Sequence, residues 1–182
     1  MLYCVVILYV IDMDIKIKKA ELKDIGVLAE IHSVSLLAAF GEAFPEEIVI
    51  EHFGIERRLR GIRRELDLGS PVNFIVYDSE EPIGLLSYGS SRYMEVDDDT
   101  IELWRIYFLP GFWGRGAAKV SMNLVLDVIN KAGYKKVFLW VLEENIRARR
   151  FYEKYGFRDT GRTLEAQLGR PVRDVMYEIT LG

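Results

Sequence analysis

The stretch YFLPGFWGRGAAKVSMNLVLDVI, residues 107–129, constrains this chain more than any other. An apolar, strand-like segment ends at Pro110-Gly111. It passes through a loop of small residues, Trp113-Gly114-Arg115-Gly116-Ala117-Ala118, and continues as an apolar-periodic helix. Small residues let an anion approach the backbone, and the N–H groups and dipole of a helix N-terminus then hold it. Arg115 and Lys119 add positive charge. Two nucleotide loops are excluded. A Walker A loop needs Gly-Lys-Ser/Thr, whereas Gly116 is followed by Ala117-Ala118-Lys119. A dinucleotide fingerprint needs a third glycine where Lys119 stands. A plain tight turn is the competing reading, since glycine so often marks turns.

The rest of the sequence reads as one mixed α/β domain over residues 15–182. IKIKK alternates as a half-buried strand, and residues 15–20 form the first one. Ile25, Leu28, Ile31, Val34, Ser35 and Ala38 then recur at helical spacing, with Asp24 as the expected N-cap. Residues 44–66 continue as one or two helices, on which Arg57, Arg58, Arg60, Arg63 and Arg64 read as a solvated face. Residues 72–78 and 83–95 are a hairpin, 100–109 a β-branched and aromatic central strand, and 135–142 a buried strand. Asn145 suits a helix cap and Gly156 its C′ position. Two last strands turn at Gly169-Arg170-Pro171.

Charge and cysteine usage bound the function. A net charge of −4 argues against a general nucleic-acid binder and does not oppose a cationic substrate. The single cysteine, Cys4, excludes an intrachain disulfide, and His32 and His52 have no partner at ligand spacing, so no metal is expected. LYCVVILYVI, within residues 1–14, is too short for a spanning helix, which needs about 20 residues. It lacks a basic leader and a cleavage site, so no membrane partner is expected and the chain reads as cytoplasmic. The run is an extension that suits an extra strand, with Met13 as an alternative start.

LEENIRARRFYEKYGF follows the glycine loop. Together the two segments resemble the GNAT superfamily of acetyl-CoA-dependent N-acetyltransferases. The family pattern Gln/Arg-x-x-Gly-x-Gly/Ala falls on residues 113–118, with Trp113 standing where Gln or Arg is usual. The later pattern Asn-x-x-Ala-x-x-Phe/Leu-Tyr-x-x-x-Gly-Phe is met by Asn145, Ala148, Phe151, Tyr152, Gly156 and Phe157. The resemblance runs from about Ile15 to the C-terminus. It implies a central, mostly antiparallel sheet flanked by helices, with the two central strands splayed at a bulge. Acetyl-CoA would be the cosubstrate. Its pyrophosphate would lie on Gly114, Arg115, Gly116, Ala117, Ala118 and Lys119, and its pantetheine arm on the main chain of Ile106, Tyr107 and Phe108, with Asn145 and Tyr152 nearby.

The resemblance also implies roles. Tyr152 would be the general acid that protonates the leaving thiolate. Glu102 is the candidate base, with an ordered water as the alternative. A family branch that acetylates ribosomal-protein N-termini keeps a Glu where this chain has Trp140, which disfavours that branch. IELWRIYFLPGF looks like the matching stretch of PaiA-type polyamine acetyltransferases, and Asp97, Asp98 and Asp99 would make an acidic mouth for a polycation such as spermidine. Another small amine, a protein N-terminus, or a non-catalytic acetyl-CoA sensor are the alternatives. Many family members dimerise through C-terminal strands, which makes a homodimer an expectation here.

Overall fold

The computed structural model describes residues 13–182. The N-terminal apolar run, with its expected extra strand, lies outside the described residues. The elements are β1 (Ile15–Lys19), α1 (Ile25–Phe40), α2 (Glu46–Phe53), α3 (Ile55–Leu68), β2 (Val72–Asp78), β3 (Glu81–Gly89), β4 (Thr100–Phe108), α4 (Ala117–Lys131), β5 (Lys136–Leu142), α5 (Ile146–Tyr155), β6 (Arg158–Gln167) and β7 (Pro171–Thr180). The strands form one seven-stranded sheet in the order β1-β2-β3-β4-β5-β7-β6. Every neighbouring pair is antiparallel except β4 and β5.

The exception positions the site. β4 and β5 pair only at Thr100–Lys136, Ile101–Val137 and Glu102–Phe138, so beyond Glu102 the two strands part. β4 also carries a bulge. Ser87 opposes Arg105 and Tyr88 opposes Leu103, which leaves Trp104 without a partner. Such an extra residue bends the strand and increases its twist, which turns the end of β4 away from its neighbour.

The helices cover both faces of the sheet. On one face α4 presents Ala117, Ser121, Met122, Val125, Leu126 and Ile129, the buried stripe expected at helical spacing. With Tyr152 and Phe157 it packs on Leu103, Val137, Leu139, Val141, Val175 and Tyr177. On the other face α1 and α3 cover Ile75 and Leu85, and α1 and α2 meet Leu142 and Val172. Asp24 does not cap α1 as the sequence suggested. Its carboxylate accepts from the Glu21 N–H at 2.9 Å and closes the preceding 3-10 turn. The segment from Phe44 to Leu66 resolves into two helices, α2 and α3, that meet at Gly54. A Cβ at Gly54 would fall 2.4 Å from the Ile50 carbonyl oxygen, so the junction needs glycine.

Candidate functional site

The glycine loop joins β4 to α4. Gly114 and Gly116 have φ of +75° and +97°, a region that residues with a Cβ occupy only under strain. The N–H groups of Lys119 and Val120 turn inward to the Gly116 carbonyl at 3.0 and 3.2 Å. Among the described residues, those of Gly114, Arg115 and Gly116 have no backbone acceptor. Those of Ala117 and Ala118 open the helix and have none within it. Nothing lies within 4 Å of the position a Cβ would take at Gly114 or Gly116. The cradle is therefore open, lined by donors and flanked by exposed Arg115 and Lys119, as a pyrophosphate requires.

Trp113, the departure from the family pattern, has a structural task. Its indole N–H donates to the Phe108 carbonyl at 2.7 Å, and the Arg147 guanidinium stacks 3.6 Å from its ring centroid. The Ser35 hydroxyl donates to the same carbonyl at 2.9 Å. Both contacts bear on the pantetheine expectation. Leu109 donates its N–H to Ile83, and the register pairs Tyr107 with Leu85. Alternation in an antiparallel ladder then directs the Tyr107 N–H and C=O to β3, and those of Ile106 and Phe108 into the splay. Tyr107 is thus corrected as a main-chain contact. Of Phe108 only the N–H remains available, because its carbonyl is occupied.

A cavity of about 240 Å³ sits in the splay. Groups from both sheet faces meet there: Tyr152 comes from α5 on one side, while Leu36, Phe40 and Phe53 come from α1 and α2 on the other. A second cavity of about 350 Å³ runs from Phe40 and Phe44 past Leu142 to Trp113 and Arg147, beside the glycine loop. Asn145 lines both. Its Oδ1 accepts from the Ala148 N–H at 3.1 Å as the α5 cap, leaving its Nδ2 for any ligand. The αL conformation of Gly156, φ +114°, ends the helix where expected.

Tyr152 is 8% exposed and packs edge-on against Phe151 and Phe157. Burial, with the nearby Tyr107, pushes its phenol well above the ordinary tyrosine value. It therefore stays protonated across the physiological range.

Glu102 and the acidic loop are placed differently from expectation. Glu102 is fully buried. Its Oε1 accepts from Arg92 Nε and Nη2 at 2.8 and 2.5 Å, and its Oε2 from the Arg92 N–H at 2.9 Å. Bonded in this way, the carboxylate is not poised to take a substrate proton. Asp97, Asp98 and Asp99 are exposed and line neither cavity. They precede β4, and the Asp99 carbonyl accepts from the N–H groups of Lys135 and Lys136, at the end where β4 and β5 are still joined. The cavity opens toward the other end of these strands. The acidic mouth is therefore corrected.

The sequence reading missed Asp174, the carboxylate that does line the cavity. Burial raises its pKa from the ordinary aspartate value, against an opposing effect of Arg92. The available signal was period-two: Asp174 shares a strand face with Val172 and Met176, an acid in an apolar stripe. Among the described residues there is no cluster of His, Cys, Asp or Glu that could hold a metal ion.

Comparison with known proteins identifies the family. The Acetyltransferase (GNAT) family profile matches residues 34–157, and the chain belongs to that family. An uncharacterized N-acetyltransferase of Mycobacterium tuberculosis is 41% identical over 73 residues, 40% of this chain and 47% of the relative. A mycothiol acetyltransferase of Beutenbergia cavernae is 37% identical over 83 residues, 45% of this chain and 27% of the relative. The chain thus spans about half the length, or less, of these two relatives. The crystal structure of the PaiA N-acetyltransferase from Thermoplasma acidophilum in complex with coenzyme A superposes with a TM-score of 0.71 at 20% identity, covering 93% of this chain and 100% of that one. That likeness shows the shared fold.

Proposed function

We propose that this protein moves the acetyl group of acetyl-CoA to an amine nitrogen by direct attack within a ternary complex. The observation that carries the reading is that the cavity lined by Tyr152 adjoins, through Asn145, a second cavity that reaches Trp113 at the start of the glycine loop. The donor-lined glycine loop opens beside the splay of β4 and β5, and the protonated Tyr152 lines the cavity within it. Bound acetyl-CoA supplies an activated acyl carbonyl and a thiol leaving group. The chain does the rest. N–H groups of residues 114–118 hold the pyrophosphate, and the Ile106 N–H and C=O with the Phe108 N–H meet the amides of the arm. Tyr152, held protonated by burial, gives its proton to the departing sulfur, and the last amine proton returns to its oxygen. Glu102 acts here as the anchor of Arg92, which forms part of the cavity wall.

The polyamine reading now rests on the likeness of residues 101–112 to PaiA-type enzymes and no longer on the acidic loop. Thiol release from acetyl-CoA against spermidine, putrescine, monoamines, amino acids and short peptides tests the activity. Turnover with any amine supports it. Tight acetyl-CoA binding without turnover would replace it with the sensor reading.

Gly116→Val is expected to weaken acetyl-CoA binding at least about tenfold, because its side chain enters the cradle from a left-handed backbone position. The strain itself should cost about 1–2 kcal/mol of stability. Titration calorimetry and a thermal melt read the two effects separately.

A further inference from the structure

We propose that Asp174 takes the proton of the acceptor ammonium, and that the acceptor is a singly charged amine with an apolar body. This rests on the acetyl-transfer reading and names its second substrate. Asp174 lies on β7, opposite Leu142 of β5 and Leu164 of β6, so strands on both sides fix it. Opposed residues share a sheet face, which puts Asp174 with Leu142 and Val172 on the α1–α2 side. Tyr152 approaches the same cavity from the α5 side. The amine and the thioester sulfur would thus each meet a separate proton-handling group, one for addition to the carbonyl and one for departure of the thiolate from the tetrahedral intermediate.

Asp174 is the sole carboxylate lining the cavity among the described residues, and there it has neither a hydrogen bond nor an ion pair of its own side chain. The other two carboxylates at hand are engaged, Glu102 with Arg92 and Glu65 with Arg105. Trp140 lines the cavity as well, and its buried indole N–H has no acceptor among the described residues, so a polar ligand atom would complete it. The titratable groups sharing the cavity with Asp174 are Arg92, Tyr93, Arg105, Tyr107 and Tyr152. One carboxylate matches one ammonium. Glu102 and Glu65 neutralise the two guanidinium groups, so Asp174 is the one uncompensated charge in the wall, and Phe40, Phe53 and Trp140 offer an apolar surface.

The step balances. An ammonium N–H bond breaks and an O–H bond forms on Asp174, and the freed nitrogen lone pair attacks the acyl carbon. The sulfur leaves with the bonding pair and takes the Tyr152 proton. The second nitrogen proton restores Tyr152, and Asp174 passes its proton to water.

The test compares benzylamine with spermidine, using the full chain, its Asp174→Asn form and its Asp174→Glu form. The native chain is expected to show kcat/KM at least about tenfold higher for benzylamine, because one carboxylate leaves the further ammonium groups of spermidine unpaired against an apolar wall. Asp174→Asn should lose about a hundredfold in kcat/KM for benzylamine, the usual scale of a positioned base, with the acetyl-CoA Kd unchanged. It should also lose the acidic limb of the pH–rate profile, and Asp174→Glu should restore part of the rate. Asn replaces a carboxylate that burial disfavours, so the variant should melt no lower than the native chain at pH 7. Native kcat/KM in Asp174→Asn overturns the base, and a preference for spermidine overturns the acceptor class. A native chain that binds acetyl-CoA but acetylates neither amine overturns both. A native chain that fails even to bind acetyl-CoA overturns the acetyl-transfer reading beneath them.

Discussion

Tyr152→Phe is expected to lower turnover about a hundredfold, the effect of removing a positioned proton donor, while leaving the acetyl-CoA Kd within about a factor of two. Phenylalanine keeps the ring and its contacts with Phe151, Phe157 and Tyr177, so only the hydroxyl is lost. Single-turnover thiol release separates this loss from slow product departure, and unchanged turnover would remove Tyr152 from the acid role. The same substitution has a signature in alkali. Burial raises the Tyr152 and Tyr107 phenols above their ordinary values, so the folded chain holds both protons more tightly than the unfolded chain does. Their contribution is fully present below the unfolded value of about 10 and is lost as pH rises through the folded values. Stability should therefore be level through neutral pH and decline above about pH 10. The decline should be shallower in Tyr152→Phe, as urea unfolding across that range would show.

The order of strands and helices was legible because each carries its own punctuation. Gly114 and Gly116 mark the handover from β4 to α4, and Asn145 and Gly156 bracket α5 through a side-chain cap and a left-handed terminus. These are local interactions, and a sequence displays local interactions directly. Partners brought together by the sheet were not legible. Asp97, Asp98 and Asp99 lie next to Glu102 in the chain, but adjacency does not tell which end of β4 opens. That depends on β5 pairing with residues 100–102 and then departing. Glu102 looked available because Arg92, from the loop before β4, folds back across it only in three dimensions. Asp174 was hidden for the converse reason. Its place between Val172 and Met176 shows an acid on an apolar face, but only the packing of α1 and α2 shows that this face borders the cavity.

Arg92→Met is the substitution expected to cost the most stability, about 3–5 kcal/mol, the usual penalty when one partner of a buried ion pair is removed. Glu102 has no exposed side-chain surface, whereas the Arg92 side chain is 29% exposed. Removing the arginine leaves a buried carboxylate with no cation, and removing the glutamate leaves a cation that water can reach. Glu102→Gln should accordingly be milder than Arg92→Met, although the pair is the same. The Arg170–Glu144 pair has comparable geometry at 2.6 Å, but its glutamate side chain is 64% exposed, so Arg170→Met should change stability little. For a chain of this length the Arg92→Met penalty corresponds to a fall in Tm on the order of 10 °C. The double variant Arg92→Met/Glu102→Leu removes both charges and should recover most of the loss, since an apolar pair of similar volume suits a buried site. A melt of Arg92→Met within about two degrees of the native chain, by the same conversion, would mean that water reaches Glu102 once the arginine is gone.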